Sequence, residues 1–196
     1  MPTTSHPELD PESAITFDLA HGLLHLPGAP ERVLVPADAL VVLAAIAGPD
    51  ASERFGRTWG ESMGRRVAFR FSSTEGVERT DVVTVVEHFA AEIALVGLGA
   101  LGLERWGKAV VLVVDQSPLG ARGDTLLAEV LAGAVEAATL RRVRTLLLAR
   151  DRVRARFLVG SAAAIVKVDR WLNEGVTWGE ALVRLHEATG VAEGTP

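Results

Sequence analysis

The spacing of apolar residues changes near Thr139, and the two sides of that change predict different structure. Before it, Leu126, Leu127, Val130, Leu131, Ala134 and Ala138 recur at helical spacing and form one apolar stripe. Ala128, Ala132 and Ala137 lie between them and allow another layer to come close. Asp124 precedes the stripe as the expected N-cap. After the change, Val143 to Ala149 is short and branched, and Val153 to Val159 alternates arginine with apolar residues. Period two predicts two strands, with Arg150-Asp151 as the turn between them. A helix leading into an antiparallel hairpin is expected to bury its stripe on that hairpin.

The rest of the chain divides by the same criteria. Ala14 to Leu26 suggests one or two short strands, Pro27 to Pro30 a turn and Arg32 to Val35 another short strand. Pro36 opens a helix to about Ala47, ended by Gly48-Pro49. Asp50 and Glu53 have the spacing of a capping box for a helix to about Phe71. Ser72 to Gly76 reads as a loop, and Thr80 or Asp81 caps a helix to about Val96. Leu101 to Trp106 and Ala109 to Val114 read as strands. The second is apolar on both faces and is expected at the centre of its sheet. Ser161 and the Thr177/Glu180 pair open two C-terminal helices, to about Asn173 and Ala188. The pattern predicts an α+β fold, an antiparallel sheet packed against a helical layer with a C-terminal helical hairpin. Its divisions are a loose tail at 1–13, the main domain at 14–160 and the helical extension at 161–196.

Composition narrows the chemistry. The 196 residues are 48% hydrophobic and carry a formal net charge of −5, which argues against broad binding of nucleic acid or anionic membrane. There is no cysteine, so disulfides, thiolate catalysis and cysteine metal sites are excluded. No leader-like start and no membrane-length apolar run is read, so a cytoplasmic location is expected. His6, His21, His25, His88 and His186 make no helical metal pair. His21 and His25 would stand about 13 Å apart along a strand. His88 falls beside Thr84 and Glu92, on what reads as the solvated side of its helix. Gly97 to Gly102 matches a dinucleotide-binding glycine pattern by letter, but follows a helix and precedes a strand, the reverse of the required order. Asp115 ends a strand with no evident partner. No catalytic constellation and no cofactor site is legible.

Three groups of residues remain. Gly56, Gly60 and Gly64 fall on one face of their helix, each costing about 1 kcal/mol against alanine. They point to close helix packing, within the chain or across a homodimer, or to contact with a ligand. Arg142, Arg144, Arg152, Arg154 and Arg156 concentrate on the hairpin of an acidic chain, with the last three expected on one strand face. They form either a solvated strand face or a surface for a protein partner or anionic ligand. Trp59, Phe89, Trp106 and Phe157 could line an apolar pocket for a small hydrophobic molecule.

The segment from Leu126 to Val159 also resembles the C-terminal signature of the 4-vinyl reductase domain family, which shares its fold with small subunits of the trafficking particle TRAPP. The resembling pieces are the small-residue helix LLAEVLAGAVEAA, the basic strand, the turn and Ala155-Arg156-Phe157-Leu158-Val159. Gln116 to Leu119 is similar to the family's N-S-P element, and residues 53–72 to its glycine-spaced helix. Leu147 and Ala155 stand where the family often has cysteines, and Asp151-Arg152 where it has Gly-Asp, so its thiol and metal chemistry does not carry over. The resemblance implies a dimeric scaffold with an apolar interior. The leading expectation is a non-enzymatic adaptor that binds a protein through the arginine hairpin or the C-terminal helices. The alternatives are a sensor for a small hydrophobic ligand and an accessory of tetrapyrrole metabolism.

Overall fold

The structure, a computed structural model, describes residues 15–18, 20, 23–25, 34–107 and 109–192. The readings of residues 1–13, of the Pro27 to Pro30 turn and of His6 and His21 lie outside those residues. A small hairpin pairs β1 (Thr16–Asp18) with β2 (Leu23–His25). Then come α1 (Ala37–Ala47), α2 (Pro49–Arg70), α3 (Thr74–Arg79) and α4 (Val82–Leu95). The main sheet uses β3 (Ala100–Trp106), β4 (Ala109–Asp115), β5 (Arg144–Arg150) and β6 (Arg154–Gly160). Its order is β3-β4-β6-β5, antiparallel throughout. A 3-10 turn, Ala121–Gly123, leads into α5 (Asp124–Thr139), and α6 (Ala162–Asn173) and α7 (Trp178–Ala192) close the chain.

The apolar strand β4 lies inside the sheet, between β3 and β6, as its two-faced pattern requires. Leu112, Val114, Ala155 and Phe157 join one core with Met63, Val67, Phe89, Ile93 and the α5 stripe. Val111, Val113, Leu148 and Leu158 face a second core, closed by Val168, Ala181 and Leu182 of the C-terminal helices. The helical hairpin therefore covers the second face of its own sheet. Trp106 meets Trp178 edge to face at 5.0 Å across that seam.

Several local readings need correction. Asp124 is the first residue of α5 and caps nothing; its buried carboxylate receives two hydrogen bonds from Arg150, one from Nε at 2.5 Å. An ion pair with a strand outweighs a local cap here because the site is buried and the partner is bidentate. Likewise α2 starts at Pro49 behind Gly48, with no side-chain cap, and Glu53 pairs with Arg57 and Arg144. The supposed loop after Phe71 contains α3, capped by the Ser73 hydroxyl, which accepts from the Gly76 amide. Asp81 does cap α4, accepting from the Val83 and Thr84 amides.

His88 and Glu92 are not on a solvated face. Glu92 is 0% exposed and receives hydrogen bonds from Arg66 Nε at 2.8 Å and from Arg70. His88 stands edge-on to Phe71, ring centroids 4.7 Å apart. Glu92 continues the line Val85, Phe89 at spacing 3–4, so its position on the inward face follows from helix geometry. Two guanidiniums make burial of the charge tolerable.

The glycines of α2 bring two backbones together. A Cβ on Gly60 would overlap the Val130 carbonyl, and one on Gly64 the Ala134 carbonyl. One on Gly56 would come within 2.8 Å of the Glu129 Cβ. From the other side, a Cβ on Gly133 would overlap the Arg57 carbonyl. The contact is thus reciprocal between α2 and α5 of one chain, and these glycines present no free face to a second copy. Arg57 bridges the same seam to Glu129 at 2.8 Å and Glu136 at 2.6 Å.

Gly60→Ala is expected to destabilise by about 3 kcal/mol, because backbone cannot yield as a side chain does. That corresponds to a fall of roughly 6–12 °C in Tm for a chain of this size. Gly179→Ala, with nothing within 4 Å of the new methyl, should instead be neutral or stabilising by up to about 1 kcal/mol. Equal effects in thermal melts would refute the backbone-contact account. A second expectation concerns Glu129, whose carboxyl is raised above its ordinary value, first by burial and then by Glu53, with Arg57 opposing. The folded chain then holds that proton more tightly than the unfolded chain. Stability from this group is present at low pH and declines as pH climbs from its ordinary value of 4.5 through the folded pKa. The Tm of Glu129→Gln relative to the parent should therefore rise with pH over that interval; a constant difference would show that Glu129 is not perturbed.

Candidate functional site

Helix α1 is the element whose sequence and surroundings agree least. After Asp38 in its first turn, ADALVVLAAIA is apolar all round, a pattern suited to a fully enclosed helix. Here Ala37, Leu40 and Val41 turn inward to the main core. Val42, Leu43 and Ile46 remain 49%, 58% and 79% exposed. One residue, Gly48 at φ 83°, links α1 to α2. Only glycine adopts that conformation freely, so the elbow is sharp and short. The Ser52 hydroxyl fixes it from inside, hydrogen-bonded to the carbonyls of Ala44 at 2.7 Å and Gly48 at 2.8 Å.

The elbow opens a cleft of about 630 Å3 between α1, the start of α2 and the start of α5. Val41, Val42, Ala45 and Ile46 make its apolar wall, with Pro49 and Ser52 at the elbow. Arg122, Thr125 and Leu126 face them from the 3-10 turn and α5. Arg122 is exposed and has no ion pair or hydrogen bond among the described residues. The nearby acid, Asp124, is committed to Arg150 and leaves the Arg122 charge uncompensated. The cleft therefore joins an apolar wall to a free guanidinium and a threonine hydroxyl. Its volume falls within the range of about 300–1,000 Å3 typical of small-molecule sites. A second hollow, between α4 and the edge strand β3, reaches only about 260 Å3.

The residues singled out from the sequence do not converge here. Phe89 and Phe157 are 5% and 0% exposed in the packed core, and Trp59 packs against that core beside Phe55. Trp106 lies against Trp178 on the opposite sheet face. These four aromatics do not enclose a common cavity, because the sheet separates Trp106 from the others.

Several of the hairpin arginines have partners within the chain. Arg154 donates to Asp115 from Nε at 2.7 Å, and Arg156 donates to Glu104 at 3.2 Å. Arg156 also lies 5.6 Å from the Trp178 ring centroid. Arg144 reaches Glu53 at 3.3 Å. Arg152 belongs to the turn rather than the strand, because Asp151 draws the backbone round by accepting from the Val153 and Arg154 amides. Arg142 and Arg152 are exposed and unpaired among the described residues, but they do not form one strip with the others. Period two placed the side chains on a face; it could not show that carboxylates from β3 and β4 already occupy it.

The cleft itself was missed. Its sequence signal was the apolar run from Ala39 to Ala47 of α1, which no amphipathic surface helix needs. Among the described residues, no three His, Asp or Glu side chains gather as a metal site, and no helix is long and apolar enough to cross a membrane.

No protein-family model and no curated protein matches the chain. Among solved structures it is similar to the phenol-responsive sensory domain of the transcription activator PoxR, crystallised with phenol. The TM-score is 0.55 at 14% sequence identity, with 88% of this chain and 92% of that chain covered. At that identity the likeness is one of fold, a small α+β domain.

Ser52→Ala would remove the hydroxyl's bonds across the elbow while the Ala44 and Gly48 carbonyls keep the Gly48 and Ser52 amides as donors, at a cost of about 0.5–1.5 kcal/mol. The expected fall in Tm is roughly 1–6 °C, with faster amide exchange concentrated in α1. Unchanged exchange at residues 37–47 would show that the hydroxyl does not hold the cleft open.

Proposed function

We propose that this chain is a ligand-sensing domain that binds a small apolar molecule bearing an oxygen acceptor and performs no chemistry on it. The observation that carries this reading is the α1–α2–α5 cleft, where the apolar wall of Val42 and Ile46 faces the uncompensated Arg122. An aromatic or short aliphatic body would cover the α1 wall. Its carboxylate, phenolate or phenol oxygen would accept from Arg122, a charge-assisted bond of about 1.5–3 kcal/mol. The shared fold with a phenol-responsive sensory domain supports the class of function, and identifies no ligand for this chain. The resemblance to the 4-vinyl reductase domain agrees with a ligand-holding scaffold.

Assembly remains a second reading, favoured by the outward side of α1. Leu34 and Leu43 are 76% and 58% exposed and lie off the cleft wall. Such a face suits a protein partner or a second copy more than a small molecule.

Calorimetric titration with phenol and benzoate separates the two. Binding of benzoate should weaken about tenfold or more in Arg122→Glu and be abolished in Ile46→Asp, with Tm close to that of the parent in both. Ligand affinity indifferent to both substitutions would reject the cleft. A concentration-dependent dimer that dissociates in Leu43→Asp, with no ligand bound, would favour assembly instead.

A further inference from the structure

The two edges of the main sheet differ. β5 begins and ends in arginine, and its register with β6 shifts between Leu147 and Ala149. Charges and an irregular ladder keep an edge from adding a further strand. β3 has no such irregularity and no proline, and all seven of its residues pair with β4 in unbroken register. One of its two charges, Glu104, is already met by Arg156. Trp106 and Ala109 close the β3–β4 hairpin as a direct pair. Alternate residues from Trp106 therefore bond to β4, while Leu101, Leu103 and Arg105 turn their amides and carbonyls outward. Among the described residues those outward groups have no hydrogen-bond partner.

Two further features lie on this edge. Nothing in the chain requires glycine at position 102, in the middle of the strand. Its φ is not positive, and a Cβ there would meet nothing nearer than the Val113 carbonyl at 4.0 Å. A strand-interior glycine weakens the strand and marks a place where another backbone comes close. Beside it runs the hollow between α4 and β3, with Val83, Val86 and Ala90 facing Leu101 and Leu103. Glu87 and Arg105 also line it, and neither has an ion pair among the described residues.

We infer that the β3 edge pairs with β3 of a second copy of this chain, antiparallel about a two-fold axis at Leu103, so that two four-stranded sheets become one. In that register Leu103 faces its own copy, Leu101 faces the second copy's Arg105, and Gly102 faces the second copy's Glu104. The missing side chain at 102 leaves room for the Glu104–Arg156 pair and keeps the two Glu104 carboxylates from lying directly opposite each other. Arg105 extends past Leu101 of the other copy toward its Glu87, and the axis repeats the pair. One acid and one base around an apolar centre make the edge complementary to itself, which a two-fold contact requires. A foreign strand would have to bring both charges in the same order. The edge shares no residue with the α1 cleft or with the outer side of α1.

Sedimentation equilibrium of the full chain should show a reversible monomer–dimer equilibrium. Arg105→Glu and Glu87→Arg should each weaken the dimer about tenfold or more, and the double variant should restore it. Gly102→Thr should weaken the dimer while leaving the Tm of the dilute chain unchanged or slightly raised. The chain has no cysteine, so a single introduced thiol can cross-link only to its own copy. Oxidised Leu103→Cys should form a covalent dimer. Ala100→Cys, whose two copies would stand about 20 Å apart, should not. A chain that stays monomeric at its highest soluble concentration, a dimer indifferent to the charge variants and to Gly102→Thr, or cross-linking through Ala100→Cys but not Leu103→Cys overturns the inference. Leu43→Asp and Arg122→Glu should leave this dimer intact, so its failure is separable from failure of the α1 cleft or of the α1 outer face.

Discussion

The backbones of α2 and α5 approach too closely for side chains between them, and the placement of most other elements follows from that contact. Gly56, Gly60 and Gly64 on one helix and Gly133 on the other remove the side chains that would hold the axes apart. Each glycine weakens its own helix, yet together they let Val130, Leu127 and Leu131 enter the core beside Met63 and Val67. With α5 drawn against α2, its stripe also covers β5 and β6, and α4 completes the layer over β3. The seam is then closed electrostatically, with Arg57 reaching Glu129 and Glu136 across it.

Burial of charge follows one rule in several places. Glu92 is enclosed with Arg66 and Arg70 and Asp124 with Arg150, while on the part-exposed sheet face Arg154 pairs with Asp115 and Arg156 with Glu104. Each pairing joins different secondary-structure elements, so each fixes their relative placement. Such pairs contribute modest net stability but make alternative packings expensive, since a displaced element would leave a charge buried alone. Arg150, Arg154 and Arg156 of the hairpin thus tie its strands to α5, β4 and β3.

The α1 helix stands outside this economy of contacts. Its inward residues join the core through Leu40 and Val41, while Val42, Leu43 and Ile46 stay in solvent. An apolar outer face of this kind is the pattern of a surface that meets another molecule, and the proposed ligand would cover part of it from the cleft beside Arg122. The Ser52 bonds and the Gly48 elbow hold that cleft at a fixed angle, which is what a receptor site needs.

Much of the architecture is local in origin and was therefore legible in the residues. The periodicity change at Thr139, the two-faced apolar run of β4, the Asp81 and Ser161 caps and the glycine spacing of α2 each follow from neighbours within a few positions. The short helix after Ser73 was hidden because Thr-Glu-Gly-Val-Glu-Arg has turn composition and only one apolar anchor, Val77. Function-bearing features depend instead on which elements meet. Nothing near Asp124 in the chain announces Arg150, and nothing near Arg156 announces Glu104 or Trp178. Spacing assigns a side chain to a face, because backbone geometry is periodic. What occupies the space opposite that face depends on packing between segments dozens of residues apart, and this decided which arginines are paired, which aromatics are core and where the cleft beside α1 opens.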